Sequence, residues 1–211
     1  MKSVFVDGNS LSWMRRALGI GVFNFGELAA LLRGLGKSAE LERMTYVLNR
    51  ASEKAFGKHL RTAGFEVIPV DEPGADDAVI YALINETKAN EIIIVSNDQD
   101  FVSNLRIKKE GGARIVWVGT KAGNGSSTSI SQSLIDLFEK GEFEFVDLAD
   151  HAMQIMRRPW EDKTEPVREP PRKKLEFKLT LVAPADVIQK LLQSLIRIAD
   201  GASTETKVSD V

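Results

Sequence analysis

The sequence predicts an open α/β fold built on a doubly wound, mostly parallel sheet. Three observations carry this. Short runs such as "SVFVD", "FEVIPV", "EIIIVS" and "ARIVWVG" are apolar at most positions rather than at alternate ones, as in strands buried on both faces. Segments with helical spacing lie between these runs, so strand and helix alternate along the chain. Acidic residues collect where the strands end, which is where open parallel sheets hold their ligands.

The elements follow in order. Residues 3–7 form a buried strand, and residues 25–35, "FGELAALLRGL", carry apolar residues at helical spacing. Residues 44–49 form the second strand. A helix over 51–64 opens on Ser52 as N-cap and closes on Gly64. Residues 65–70 form the third strand and 75–89 a helix. The fourth strand spans 91–96, the next helix 100–112 ends on a glycine pair, and the fifth strand spans 113–119. Residues 120–129, "TKAGNGSSTS", read as a loop, and 131–150 as a further helix and strand closing a domain over 1–150. Residues 151–174, with the charged, proline-rich "RRPWEDKTEPVREPPRKK", read as a linker. Residues 175–199 then read as a small strand–helix element, and 200–211 as a tail.

Composition bounds the function. The 211 residues suit one domain with a small appendage, and 43% hydrophobic residues exclude a disordered chain. With 28 basic and 30 acidic residues the chain is no bulk cationic binder of nucleic acid, although a local basic patch is compatible with that balance. The absence of cysteine excludes a disulfide framework and a thiolate metal site. "MKSVFVDGNS" lacks a signal-peptide pattern and no apolar run approaches the roughly 18 residues of a membrane helix. A cytoplasmic protein with no membrane partner is expected.

The strand ends carry the chemistry. The first strand ends at Asp7, with Asn9 just beyond it. The third runs out through Asp71, Glu72, Asp76 and Asp77, and the fourth through Asp98 and Asp100. Any one of these acids alone is most simply a helix cap or a turn residue, and "DGN" is a good turn sequence. Capping does not explain why three segments bring acids to the same edge. Packed together these carboxylates repel, and at least one takes up a proton unless a divalent cation lies among them. The donors are all oxygen, and His59 and His151 lie outside the motifs. That favours Mg²⁺ or Mn²⁺ over Zn²⁺.

Three stretches, "VFVDGNSL", "AGFEVIPVDEPGADDAVIYALI" and "EIIIVSNDQDFVSNLRIKKEGGARIVWVG", resemble the NYN domain, a family of PIN-like nucleases. The 5′-nucleases of DNA replication are more distant relatives. The resemblance covers residues 1 to about 120. Its most specific part is the family's S-G-D-S-D-F pattern, here Ser96, Asn97, Asp98, Gln99, Asp100 and Phe101. Asp76 matches the Asp of G-x-D. A second Asp that members often carry further along the helix is Ala82 here, with Asp77 as a substitute.

The resemblance implies a metal-dependent endonuclease acting on phosphodiester bonds, RNA first. Asp7, Asp76 and Asp98 would be the core ligands and, with Asp100, the catalytic acids. Asp77 and Asp100 would hold a second ion or its waters, and Asn9 and Ser96 would orient the acids or contact the phosphate. Apart from the resemblance, an acidic cluster needs surrounding cations to guide a polyanion, and Arg15, Arg16 and Lys121 are the candidates, with Trp13 a candidate to stack on a base; the alternatives are a solvated helix face for the Arg pair and a place in the core for Trp13.

Two other readings compete. A haloacid-dehalogenase-type phosphatase needs D-x-D on the first strand, and Asn9 stands at its second position. A non-catalytic regulatory or nucleic-acid-binding module would act through residues 175–199. There Leu175, Phe177, Leu179 and Leu181 alternate, and Val187, Ile188, Leu191, Leu192, Leu195, Ile196 and Ile198 make a wide stripe. So small a piece buries too little surface by itself. A second copy or another protein partner is expected to cover it.

Overall fold

A computed structural model of the chain describes residues 1–72, 74–123 and 129–157. Six strands form one sheet in the order β3-β2-β1-β4-β5-β6, and every pair is parallel. The chain starts at the centre with β1 (Lys2–Asp7), followed by α1 (Gly8–Ala17), α2 (Phe25–Gly34) and β2 (Leu41–Asn49). It moves outward through α3 (Arg50–Thr62) to β3 (Glu66–Val70) and returns through α4 (Ala75–Glu86) to β4 (Glu91–Val95). It then crosses to the other half through α5 (Val102–Glu110), β5 (Arg114–Gly119), α6 (Gln132–Glu139) and β6 (Glu144–Asp147), and ends in α7 (Ala152–Ile155).

The unbroken apolar runs are explained by two cores, one on each sheet face. Val4, Val6, Ile93, Val95, Val116 and Val118 join Leu11, Leu28, Leu32 and Leu60 of α1–α3, with Ile155 of α7. Phe5, Ile92, Ile94, Ile115 and Trp117 join Ile80, Leu105 and Leu134 of α4–α6. Neighbouring strand residues thus face opposite cores, as the two-residue strand period requires. Pro69, which cannot donate a ladder hydrogen bond, sits on the edge strand β3.

Strand order reverses between β1 and β4, because β1 pairs with β2 on one side and β4 on the other. This is a topological switch point, where a crevice opens beyond the carboxyl ends. At the opposite edge the buried acid Glu91 is fully engaged. It pairs with Arg114 and accepts the Lys37 and Ser38 backbone N–H groups at 2.9 Å.

Three expectations are corrected. "DGN" is not a turn: α1 starts at Gly8. Asp7 caps it by accepting the Ser10 N–H at 2.9 Å, and Gly8 lets it start hard against β2. A Cβ on Gly8 would lie 2.6 Å from both the Val47 carbonyl oxygen and a Tyr46 ring carbon. The second strand begins at Leu41 rather than residue 44. The linker does not begin at residue 151, because Ile155 is fully buried and Phe23 bridges Met156. The Arg157 N–H also bonds the Val22 carbonyl at 2.9 Å. The rest of the expected linker, the 175–199 element and the tail lie outside the described residues.

Gly8→Ala is expected to destabilise the fold by about 1–3 kcal/mol, the usual cost of forcing volume into a packed site. Thermal unfolding would show a melting temperature several degrees lower. An unchanged value would mean that α1 shifts freely from β2.

Candidate active site

A cleft of about 520 Å³ lies beyond the carboxyl ends of the strands and is lined by Asp7, Asp76, Asp77, Asp98 and Asp100. Asn9, Ser10, Trp13, Asn97, Gln99 and Ser131 complete most of its wall. No Lys, Arg or His is among the described residues that line it.

Each acid arrives at the start of a helix or helical turn. Asp7 is the N-cap of α1, and Asp98 caps the 3-10 turn Gln99–Phe101 by accepting the Asp100 N–H at 3.0 Å. Asp76 and Asp77 stand in the first turn of α4, which follows Gly74 in the left-handed conformation at φ 79°. The positive ends of these helices partly offset the crowding of negative charge.

Asp7 and Asp76 are nearly buried, at 3% and 4% exposure. The Ser96 hydroxyl donates to Asp7 at 2.9 Å and accepts the Asp98 N–H at 3.0 Å, so one buried serine ties two of the acids. Ser96 is itself held from below, where its carbonyl accepts the Trp117 indole N–H at 2.6 Å. The Asn9 amide donates to Asp76 at 2.6 Å, and its oxygen accepts from Asn49 at 3.3 Å. The Asn97 N–H donates to the Ser10 hydroxyl at 2.7 Å, and its side chain accepts the Thr120 N–H at 3.0 Å. The acids are thus held from behind by neutral donors.

Burial pushes the Asp7 carboxyl up to about 6, against hydrogen bonds from Ser10 and Ser96, and the charges of Asp76 and Asp98 add to the rise. Asp77 is also pushed up to about 6, by burial first and then by Asp76, Asp7, Asp98 and Asp100. These acids feel one another's charge. Among the described residues, however, no three carboxylate or imidazole groups are gathered to hold one metal ion between them. As it stands, the cluster offers an ion fewer than three such ligands. That suits Mg²⁺, which takes one or two carboxylates and fills its shell with water and phosphate oxygens. The all-oxygen donor set, and the lack of a cation among the described lining residues, fit such an ion.

Other sequence candidates fall elsewhere. Asp71 pairs with Arg50 at 2.7 Å, and neither Asp71 nor Glu72 lines the cleft. Ser96 is fully buried behind the cleft, bonded to Asp7 and to the Asp98 N–H, and does not line it. Arg15 points away from the acids and donates to the carbonyls of Ile20 and Gly21, closing the loop after α1. The Arg16 guanidinium lies 4.6 Å from the centre of the Trp13 ring on the cleft rim. The Lys121 ammonium lies over Phe145 at 5.3 Å. Ala82 is exposed and does not line the cleft, whereas Asp77 does.

Sequence reasoning missed Tyr81, whose hydroxyl is pushed up by burial first and then by Asp100, Asp77 and Asp98. Its spacing of four from Asp77, one helical turn, was the available signal. Gln99 was also missed as a wall residue; its side-chain oxygen accepts from Ser131 at 3.0 Å and Ser133 at 2.5 Å.

No curated protein matches this chain significantly. Among solved structures it is similar to a protein of unknown function from Vibrio parahaemolyticus RIMD 2210633, at a TM-score of 0.54 and 20% identity. The match covers 74% of this chain and 95% of the other, and a likeness at that identity speaks for the fold alone. The family model of the NYN domain matches residues 2–139, which include all five cleft carboxylates. The chain therefore belongs to the NYN domain family, a PIN-like nuclease family.

Proposed function

We propose that the protein is a Mg²⁺- or Mn²⁺-dependent endonuclease that hydrolyses phosphodiester bonds, with RNA as its substrate and the cytoplasm as its place of work. The observation that carries this reading is the convergence of Asp7, Asp76, Asp77, Asp98 and Asp100 on one cleft at the switch point, with no cation among the described residues that line it. An acidic hollow repels a polyanion, so it is useful to a nucleic-acid enzyme only with divalent ions. Such an ion, held by these residues, would lower the pKa of a water so that hydroxide is available to attack, and would relieve the charge on the phosphate.

The chain's residues have separable roles in this reading. Asp7 and Asp76 are the buried ligands, kept in place by Ser96 and Asn9. Asp98, on the third segment, would hold that ion through one of its waters. Asp100 is exposed and Asp77 half-buried in the cleft wall, and they would hold a second ion or its waters. With no ion beside it the Asp77 carboxyl is pushed up to about 6, so a bound cation would have to displace its proton.

The decisive experiment is cleavage of end-labelled single-stranded RNA and its DNA counterpart with Mg²⁺, Mn²⁺ or EDTA. Expected is internal cleavage of RNA with either ion and none with EDTA. Asp98→Asn is expected to lower the rate about 10²-fold or more, the scale of losing several kcal/mol of charge stabilisation. Cleavage that survives EDTA, or is equal in Asp98→Asn, would overturn the reading.

A further inference from the structure

Trp13 is a large aromatic side chain that the fold does not use in its core. It is 43% exposed and belongs to neither hydrophobic cluster. It lies four residues after Asn9 on α1, so the two share one helix face about 5–6 Å apart. Both line the acidic cleft, and Asn9 is bonded to Asp76. The indole therefore stands about one helical turn from the carboxylates. We propose that Trp13, with Arg16 stacked on it, is a platform for one unpaired nucleobase beside the scissile phosphate. The cleft would then take single-stranded rather than duplex nucleic acid. This rests on the nuclease reading of the same cleft and names its substrate class.

Charge is the first argument. The described residues of the walls are carboxylates and neutral groups, so ion pairing with these cannot retain a polyanion. Stacking on an aromatic ring binds any base through its π-face and needs no cation. The second argument is the neighbouring cation. Arg15 is committed to the Ile20 and Gly21 carbonyls, whereas Arg16 lies against the indole at the rim. There its charge meets the backbone of a nucleotide stacked on the ring. The third argument is geometric. Bases inside a duplex are covered on both faces by their neighbours, so a stacking side chain needs a base outside a helix. The bland role for Trp13, covering an apolar partner, is not supported by its surroundings. Asn9, Ser10, Gln99 and Ser131 share the cleft wall with it.

The test is equilibrium binding by full-length protein of a fluorescein-labelled ten-nucleotide RNA, as single strand and as duplex. Anisotropy is read with Ca²⁺, a hard ion that oxygen ligands accept in looser geometry. Wild type is expected to prefer the single strand. Trp13→Ala should weaken that binding about 5- to 100-fold and leave weak duplex binding unchanged, whereas Trp13→Phe should retain most of it. Unlabelled strand should also quench intrinsic fluorescence in wild type more than in Trp13→Phe, which keeps Trp160 and the fully buried Trp117 as a shared background. Equal affinity of wild type and Trp13→Ala, equal binding of duplex, or no single-strand binding by wild type would overturn the platform. If hydrolysis with Mn²⁺ persists while binding ignores Trp13, the platform alone falls. If Trp13-dependent binding is found but no metal supports hydrolysis, the nuclease reading alone falls.

Discussion

Asp7→Asn is expected to remove metal-dependent hydrolysis while making the metal-free protein more stable. The two effects have one cause. Asp7 is 3% exposed and its carboxyl is raised from 3.8 to about 6, chiefly by burial. Each tenfold change in a proton equilibrium is worth about 1.4 kcal/mol, so holding this charge costs about 3 kcal/mol at neutral pH. Asn removes the charge and keeps the cap, because its side-chain oxygen still accepts the Ser10 N–H. The new amide faces the Ser96 hydroxyl, which must reorient at a cost of about 1 kcal/mol. The net gain of roughly 1–2 kcal/mol corresponds to a rise of about 3–6 °C in melting temperature. Hydrolysis is expected to fall about 10²- to 10⁴-fold, since a carboxylate ligand is replaced by a neutral group. A melting temperature that falls would mean that Asp7 serves the fold as a cap and little else. A stabilised variant with full activity would remove Asp7 from the chemistry.

This opposition of stability and function is visible across the cleft. Two acids outside the cleft have cations beside them, Glu91 at the amino edge with Arg114 and Asp71 on the surface with Arg50. Of the five in the cleft, Asp7, Asp76 and Asp98 have Ser, Asn and backbone N–H groups instead. A fold selected only for stability would have no reason to gather five like charges at one strand edge, since like charges in a partly buried site raise one another's cost.

Much of the fold was legible because each strand is buried on both faces and therefore reads as an apolar run without reference to its neighbours. β4 shows this best, since Ile92 to Val95 needed no partner to be recognised. The carboxylates were legible for a related reason: they follow those runs directly. Features that depend on tertiary contacts were not. α1 was hidden because "DGN" is good turn chemistry, and only the approach of Gly8 to Val47 and Tyr46 makes it a helix start. Without α1, the directions of Arg15 and Arg16 could not be told apart, although they are adjacent and end on different surfaces. Ile155 lies in a stretch whose composition runs into the linker, and its burial comes from contacts with distant segments.

Divalent metal should stabilise the protein strongly at neutral pH and weakly near pH 5. Asp7 and Asp77 have folded-state values of about 6 against 3.8 for the ordinary group. Between roughly pH 4 and 6 the folded state therefore holds more protons than the unfolded chain, and the metal-free protein loses stability as pH rises through that window. Above it this loss is complete, and the ionised cluster is ready for a cation. Below it, protons compete with the metal for the same oxygens. Glu42 and Glu142, held below their usual range chiefly by hydrogen bonds from Thr87 and Arg106, titrate in the opposite sense. The clean signal is therefore the difference between wild type and Asp7→Asn at each pH. For wild type at pH 7.5, Mg²⁺ at about 100 times its dissociation constant should add about 2.7 kcal/mol, or roughly 5–10 °C. At pH 5 the shift should be less than half of that, and in Asp7→Asn it should be small at both. A thermal-shift series in Mg²⁺ and Mn²⁺, at ionic strength matched with NaCl, measures this directly. Equal shifts at pH 5 and 7.5, or a shift that Asp7→Asn leaves intact, would place the bound ion somewhere other than this cleft.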